Sequence, residues 1–250
     1  MKLLIINPNI STSVSDLIRT EAERCLMPGT SIEVMTAPFG VAYIETRAEA
    51  LIGGYAAMQL AAEHYADYDA VIIAAFGDPG LEAIREMLPC PVIGMTEAAL
   101  ASAALYGGRC SIIAISNRIK SWYRETAEQQ GFGSRLSSIR SLSESLANIG
   151  TVQQDQGTRL IALAHEAIEQ DGADCLIMAG APLAGLARSV SEQIPVPVLD
   201  GVSCAVRQAQ VQVLAGSQVR SAGSYAPPPE KGHQGLPLAL AALIGRASDS

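Results

Sequence analysis

The chain has 250 residues, 49% of them apolar and 17% charged, a composition that builds a substantial buried core and excludes a disordered segment. A net charge of -8, with no cluster of Lys and Arg and only 4% aromatic residues, excludes a phosphate-neutralising nucleic-acid surface and favours a small-molecule ligand. Five scattered cysteines (Cys25, Cys90, Cys110, Cys175, Cys204) form no Cys-x-x-Cys pair and are odd in number, which excludes a complete disulfide framework and points to reduced thiols in a cytoplasmic protein.

The first apolar run, residues 3–6, is stopped at once by Asn7 and Pro8, so no signal peptide is expected. Short Val/Ile/Leu runs then alternate with Ala-, Glu- and Arg-rich stretches of helical length, the pattern of parallel strands buried under helices on both faces. In chain order this predicts strand 3–6, helix 13–25, strand 32–35, helix 48–65, strand 70–74, helix 80–87, strand 92–94, helix 97–106, strand 111–115, helices 119–129 and 155–171, strand 175–179, helix 184–193, strand 198–199 and helix 202–212. Ser11, Thr12 and Ser13 supply caps for the first helix, and Thr96 with Glu97 opens another. Residues 221–235, with three consecutive prolines among Gly and Ser, read as a long loop crossing the surface over a cleft. The apolar stretch 236–244 contains Pro237 and reads as a terminal helix packed on the body. No apolar stretch reaches the ~20 residues that span a bilayer.

Two segments are copies of each other. Asp69-Ala-Val-Ile-Ile-Ala-Ala75-Phe-Gly-Asp-Pro-Gly80-Leu81 aligns with Asp174-Cys-Leu-Ile-Met-Ala-Gly180-Ala-Pro-Leu-Ala-Gly185-Leu186 at a constant offset of 105 residues. Each runs from an acidic turn through an apolar run to a loop of small residues, a helix, and a Pro-Val stretch. Lys2 to Asn9 likewise resembles Arg109 to Asn117, so each half begins with a strand ending in a polar loop. The expectation is an α/β fold of two pseudo-symmetric Rossmann-like lobes, each a mainly parallel sheet flanked by helices: residues 1–97 with 208–250, and residues 98–207. Ligands of open parallel sheets bind beyond the carboxyl ends of the strands, so loops 7–11, 75–79, 116–118 and 180–183 are expected to converge on one cleft between the lobes, with positions 75 and 180 facing each other.

Ile6-Asn7-Pro8-Asn9, Pro38-Phe39-Gly40, Ile44-Glu45, Phe76-Gly77-Asp78-Pro79-Gly80-Leu81, Ala184-Gly185-Leu186, Asp200-Gly201-Val202 and the stretch 225–227 together resemble the aspartate/glutamate racemase superfamily, nearest its hydantoin and allantoin racemase branch. The likeness covers nearly the whole chain, and Phe-Gly-Asp-Pro-Gly-Leu after an apolar strand is its most specific piece. It implies a cofactor-independent isomerase in which two cysteines flank a substrate whose C–H bond is acidified by a carbonyl. One thiolate removes the proton, backbone N–H groups hold the enediolate-like intermediate, and the other thiol returns a proton to the far face.

The family's cysteines match Ala75 and Gly180, neither of which carries a proton. Three explanations stay open: both thiols removed by substitution, one natural thiol at 75 since replaced, or a natural protein lacking both. Around Ala75 the family pattern is intact, whereas Ala179-Gly180-Ala181-Pro182-Leu183 departs from the usual Gly-Cys-Ala-Gly-Met at several positions. Ser116 and Asn117 also replace the family's Thr-rich carboxylate-binding loop.

Asp78 is an N-cap or a proton donor. Tyr43 packs or donates a proton. Glu45 orients a loop or faces solvent. Asn7 and Asn9 bind a ligand carbonyl or build an Asx-turn around Pro8, with the resemblance favouring ligand contact for Asn7. Phe76, Gly77, Ser116, Asn117, Ala181, Pro182 and Tyr225 complete the expected substrate contacts. Trp122 and Tyr123 are expected at an inter-lobe or subunit contact. Cys90 and Cys204 are expected in small buried apolar roles. His64, His165 and His233 are too far apart for a metal site, and Gly77 and Gly80 are too few for a phosphate cradle, so neither metal nor organic cofactor is expected. The ligand is expected to be a small carboxylate, ureide or cyclic imide, with no nucleic-acid or membrane partner and with self-association into a homo-oligomer. The leading reading is an isomerase-type scaffold with altered or disabled chemistry. A decarboxylase, lyase or hydrolase using non-thiol groups and a non-catalytic binding protein are the alternatives.

Overall fold

The computed structural model describes residues 1–143, 149–216 and 222–244. Ser221, where the expected covering loop begins, lies outside them, as does residue range 245–250 of the expected N-terminal lobe. Strands β1 (Lys2–Asn7), β2 (Ser31–Thr36), β3 (Ala70–Ile73) and β4 (Val92–Gly94) form one sheet in the order β2-β1-β3-β4. Strands β5 (Cys110–Ala114), β6 (Leu136–Ser141), β7 (Cys175–Met178) and β8 (Val198–Asp200) form the second in the order β6-β5-β7-β8. All these pairings are parallel, and the orders are the same, so the sequence repeat is a repeat of topology.

The acidic turn that opens each copy fixes register. Asp69 accepts the backbone N–H of Lys2 at 2.7 Å, and Asp174 accepts that of Arg109 at 2.9 Å. The N–H groups of Asp69 and Asp174 return to the carbonyls of Lys2 and Arg109, each at 2.8 Å. The first residues of each central strand pair are thereby locked together before the apolar runs begin. The runs are buried on both faces, Leu3 to Ile6 and Ile112 to Ala114 fully so, because helices cover both sides of each sheet.

The helices are α1 (Thr12–Glu23), α2 (Arg47–His64), α3 (Leu81–Met87), α4 (Met95–Ala103), α5 (Lys120–Gln129), α6 (Val152–Asp171), α7 (Leu186–Val190), α8 (Gly201–Ala215) and α9 (Leu238–Ile244). Two of them change sides. Helix α4 follows the first sheet's β4 but also packs on β7 and β8, whereas α8 follows β8 and also packs on β3 and β4. The two helices lie against each other, so one cluster of buried side chains runs from Leu3 and Ile5 through Met95 and Leu100 to Ile112 and Ile177. On the outer face of the first sheet, Leu240 and Leu243 of α9 join Leu4, Ile6, Ala57 and Val71. Two buried leucines contribute roughly 2–3 kcal/mol each, enough to hold a seven-residue helix that would not form alone.

The structure differs from the sequence expectation at several points. Strand β6 was absent from it, because Leu136-Ser-Ser-Ile-Arg-Ser141 buries only Leu136 and Ile139 and has no period of two. Helix α4 starts at Met95, ahead of Thr96, and α7 ends at Val190 in a 3-10 turn over Ser191–Gln193. The repeat offset of 105 that relates Gly80 to Gly185 becomes 106 at Val92 and Val198, since the second helix-to-strand connection is one residue longer.

Candidate functional site

Between the carboxyl ends of the two sheets lies a cavity lined by Asn9, Tyr43, Ile44, Ala75, Phe76, Ile115, Ile119, Tyr123, Gly180, Ala181 and Pro182. The two positions singled out by the repeat, 75 and 180, therefore share one chamber. Its volume is about 30 Å³. That holds about two waters and is far below the roughly 300 Å³ at which small-molecule pockets begin. A larger hollow of about 290 Å³ lies at the outer edge of β4, lined in part by Arg85, Glu97, Gln208 and Gln212. Its Arg85 already bonds the Val92 carbonyl and Glu97, and neither position 75 nor 180 reaches it.

The chamber's floor is made by strand ends. After β1, the side chain of Asn7 is fully buried and donates to Asn9 Oδ1 at 3.1 Å, Ser11 O at 3.1 Å and Ser15 Oγ at 3.0 Å, while its Oδ1 accepts the Asn9 N–H at 3.2 Å. Asn7 thus builds the turn around Pro8 and does not line the cavity. The residue presented to the cavity is Asn9, whose Oδ1 is occupied by Asn7 and the Ser11 N–H and whose amide nitrogen has no acceptor among the described residues.

After β3, Ala75 and Phe76 line the chamber, and Asp78 turns away from it. Asp78 sits at φ 47°, and its carboxylate accepts the N–H groups of Thr96 at 2.8 Å and Glu97 at 2.9 Å and the Gln130 side chain at 2.8 Å. It is a cap, but for α4 and not for its own helix α3. Burial outweighs these three donors and pushes the Asp78 carboxyl up to about 6. Gly77 lies behind Phe76, its N–H donating to Thr96 Oγ1 at 2.6 Å.

After β7, Gly180, Ala181 and Pro182 close the opposite wall. Gly180 adopts φ 106° and ψ 142°, a backbone region that residues with a Cβ rarely enter. Space is not the constraint: a Cβ there would meet only Pro182 Cδ at 3.6 Å and Tyr123 Oη at 3.9 Å. The buried backbone N–H groups of Phe76 and Ala181, one from each wall, find no backbone acceptor among the described residues.

Apart from Tyr43, which the sequence already offered as a proton donor, the remaining lining comes from segments that the sequence did not assign to the cleft. Ile115 and Ile119 flank residues 116–118 and reach the cavity, whereas Ser116 accepts the Arg118 N–H and Asn117 accepts the Ser141 hydroxyl, both outside the lining. Tyr123, one turn after Ile119, packs its ring 4.7 Å from that of Phe76 and points its hydroxyl towards position 180. Burial first, then the charges of Asp78 and Glu45, raise the Tyr123 phenol far above its ordinary value. Burial first, then the neighbouring carboxylates of Glu45 and Glu49, raise the Tyr43 phenol. The loop carrying Tyr43 is anchored by a capping box missed in the sequence, in which Thr46 accepts the Glu49 N–H and Glu49 accepts those of Glu45 and Thr46. Tyr225 is outside the lining. No cysteine lines the cavity; burial pushes Cys175 up to about 12 and Cys204 up to about 11. Among the described residues, no group of three or more His, Cys, Asp or Glu is placed to hold a metal ion, and no helix is long and apolar enough to cross a membrane.

A family model described as Asp/Glu/Hydantoin racemase matches residues 3–209. The chain is 34% identical over 238 residues to a hydantoin racemase of Paenarthrobacter aurescens, covering 92% of this chain and 99% of that one. Among solved structures, an allantoin racemase from Klebsiella pneumoniae superposes with a TM-score of 0.91 at 28% identity, over 96% of this chain and 98% of that one. An allantoin racemase from Pseudomonas fluorescens gives a TM-score of 0.87 at 28% identity, over 94% and 100% of the two chains.

Proposed function

Because the chain belongs to the Asp/Glu/hydantoin racemase family, we propose that it moves a proton on a small hydantoin-like, ureide or carboxylate substrate held between a lobe of residues 1–97 with 208–250 and a lobe of residues 98–207, without a thiol at either Ala75 or Gly180. The observation that carries this reading is the make-up of the shared cavity: Tyr43 and Tyr123 are the titratable side chains in its lining. The Tyr123 hydroxyl stands beside position 180, where the resemblance puts the second acid/base group. Held protonated by burial, it is a proton donor to that face. The Phe76 and Ala181 N–H groups and the Asn9 amide are suited to a carbonyl oxygen that gains negative charge as the neighbouring C–H bond ionises. The same reading takes the protein as a cytoplasmic homo-oligomer with reduced thiols.

A second reading, ligand binding without turnover, draws on the upward displacement of both phenols, which leaves no strong base in the chamber at neutral pH. Incubation with hydantoins, allantoin, substituted malonates and dicarboxylates in deuterated water, read by mass spectrometry, separates the two. Deuterium at the acidified carbon, or loss of carbon dioxide, supports proton chemistry. Saturable binding with neither event, for every compound, sinks it.

A further inference from the structure

The two phenols of the cavity are held by different means. Tyr123 belongs to α5, and its ring is packed against those of Phe76 and Trp122. Tyr43 lies in the irregular stretch between β2 and α2, where neither helix nor strand geometry fixes its direction. Its place in the lining therefore depends on what holds that stretch from outside.

Helix α2 supplies the hold, although none of its own residues lines the cavity. Glu49 Oε2 accepts the N–H groups of Glu45 at 2.8 Å and Thr46 at 2.9 Å, two charge-assisted bonds just after Tyr43 and Ile44 in the chain. One turn further along the same face, Gly53 makes room for Ile44: a Cβ there would stand 2.7 Å from Ile44 Cδ1 and 3.0 Å from the Pro8 carbonyl oxygen. A Cβ on the next residue, Gly54, would stand 3.0 Å from the Gly80 nitrogen, at the end of the loop that begins with Ala75 and Phe76. At its other end the irregular stretch is tied by the Ile10 N–H, which donates to the Val41 carbonyl at 3.0 Å. The first-half lining segments, Asn9, Tyr43 with Ile44, and Ala75 with Phe76, therefore each adjoin a contact with the first turns of α2.

We propose that α2 is the positioning helix of the cavity's first-half wall and that Glu49 is the residue through which it sets the direction of Tyr43. The inference rests on the proposed function in taking Tyr43 as a proton-carrying group of this site. Alanine at position 49 removes both bonds to the loop without adding bulk. Glutamine keeps an acceptor oxygen on a stem of the same length and so keeps them.

The test is a cycle between positions 49 and 43. Glu49→Ala should lower deuterium exchange at saturating substrate about 10- to 100-fold, with KM changed by less than about threefold, because it misplaces a reacting group and leaves the binding surface intact. Glu49→Gln should keep both quantities within about threefold of the natural chain. In the Tyr43→Phe background, Glu49→Ala should add less than about twofold, since no phenol is left to misplace. A general loosening of the helix start would instead lower exchange equally in both backgrounds, and that result overturns the proposal, as does glutamine performing no better than alanine. Fluorine NMR of fluorotyrosine-labelled protein reads the same claim without substrate. The Tyr43 signal, assigned by its loss in Tyr43→Phe, should move in Glu49→Ala and stay in Glu49→Gln, while that of Tyr123 stays in both. An unmoved Tyr43 signal in Glu49→Ala overturns the positioning role. A natural chain that exchanges no deuterium on any compound sinks the proposed function, and the fluorine signals then decide the positioning on their own.

Discussion

The carboxylate of Asp78 fills the space that a side chain on Gly94 would occupy: a Cβ at Gly94 would lie 2.4 Å from Asp78 Oδ2. Gly94 is the residue before α4, and the corresponding residue before α8 is Asp200, whose own carboxylate accepts the N–H groups of Val202 and Ser203 and, at 2.6 Å, that of Gly185. Both halves thus hold one buried acid between a post-strand loop and a helix start. In the first half the acid comes from the loop, and in the second from the strand end.

This exchange predicts strong coupling between positions 78 and 94. Gly94→Asp alone should destabilise the fold by about 1–3 kcal/mol through overpacking. Asp78→Gly alone should cost about 1–2 kcal/mol through loss of the cap. The double variant recreates the second half's arrangement and should recover most of the loss. Urea unfolding of the four proteins measures the cycle, and simple additivity of the two single effects would show that the positions do not share one cap site.

The same acids set a pH dependence. Asp78 and Asp200 both titrate near 6 in the folded chain, raised by burial from an ordinary 3.8. The folded state therefore holds these protons where the unfolded state has lost them. Their contribution is most favourable below about 3.8, falls as pH rises through the interval to about 6, and is flat above it, with roughly 3 kcal/mol at stake per group as an upper bound. Between pH 4 and 6, the difference in unfolding free energy between the natural chain and Asp78→Asn/Asp200→Asn should slope accordingly. A flat difference would show that the hydrogen bonds, not burial, dominate.

Position 180 should resist the thiol that the family resemblance puts there. Ala75 has ordinary backbone angles, so Ala75→Cys should change the melting temperature by less than about 2 °C. Gly180 is held at φ 106°, so Gly180→Cys should cost about 1–3 kcal/mol, or roughly 3–10 °C in a chain of this size. Calorimetry of the two single variants decides the point. Equal melting temperatures would mean that the loop after β7 relaxes readily, and restoring the pair would then be straightforward.

What was legible in the sequence was whatever local chemistry dictates. Apolar runs closed by small residues marked seven of the eight strands, and the repeat gave the shared cavity at 75 and 180. What escaped depends on partners distant in the chain. Asp78 read as a cap for the helix that follows it, because nothing local shows that the start of α4 is 18 residues away and lacks a side chain at Gly94. The resemblance favours ligand contact for Asn7 over Asn9, but the buried Ser15 hydroxyl helps tie Asn7 into the turn and leaves Asn9 in the lining. Tyr123 was expected at an inter-lobe or subunit contact; its ring packs on Phe76, and its reach into the cavity comes from its place one turn after Ile119. The Thr46-x-x-Glu49 signature could have been read and would have fixed the start of α2 to the residue.

If Tyr123 is the proton donor on the side of Gly180, its hydroxyl and its ring have separable roles. The ring packs on Phe76 and Trp122 and is 3% exposed, so Tyr123→Phe keeps the packing and should leave the melting temperature within about 2 °C of the natural value. The hydroxyl has no hydrogen-bond partner among the described residues, and its removal leaves no buried acceptor orphaned. Loss of a positioned acid typically lowers turnover by about 10² to 10⁴, and an effect of that size on deuterium incorporation, with ligand affinity changed by less than about tenfold, is expected here. Tyr43→Phe should lower turnover in the same assay, because it removes the other titratable group of the lining while Glu45 stays in place. Unchanged exchange in both variants would take the proton chemistry away from the phenols. Loss in Tyr123→Phe alone would fit delivery of a proton to one face only.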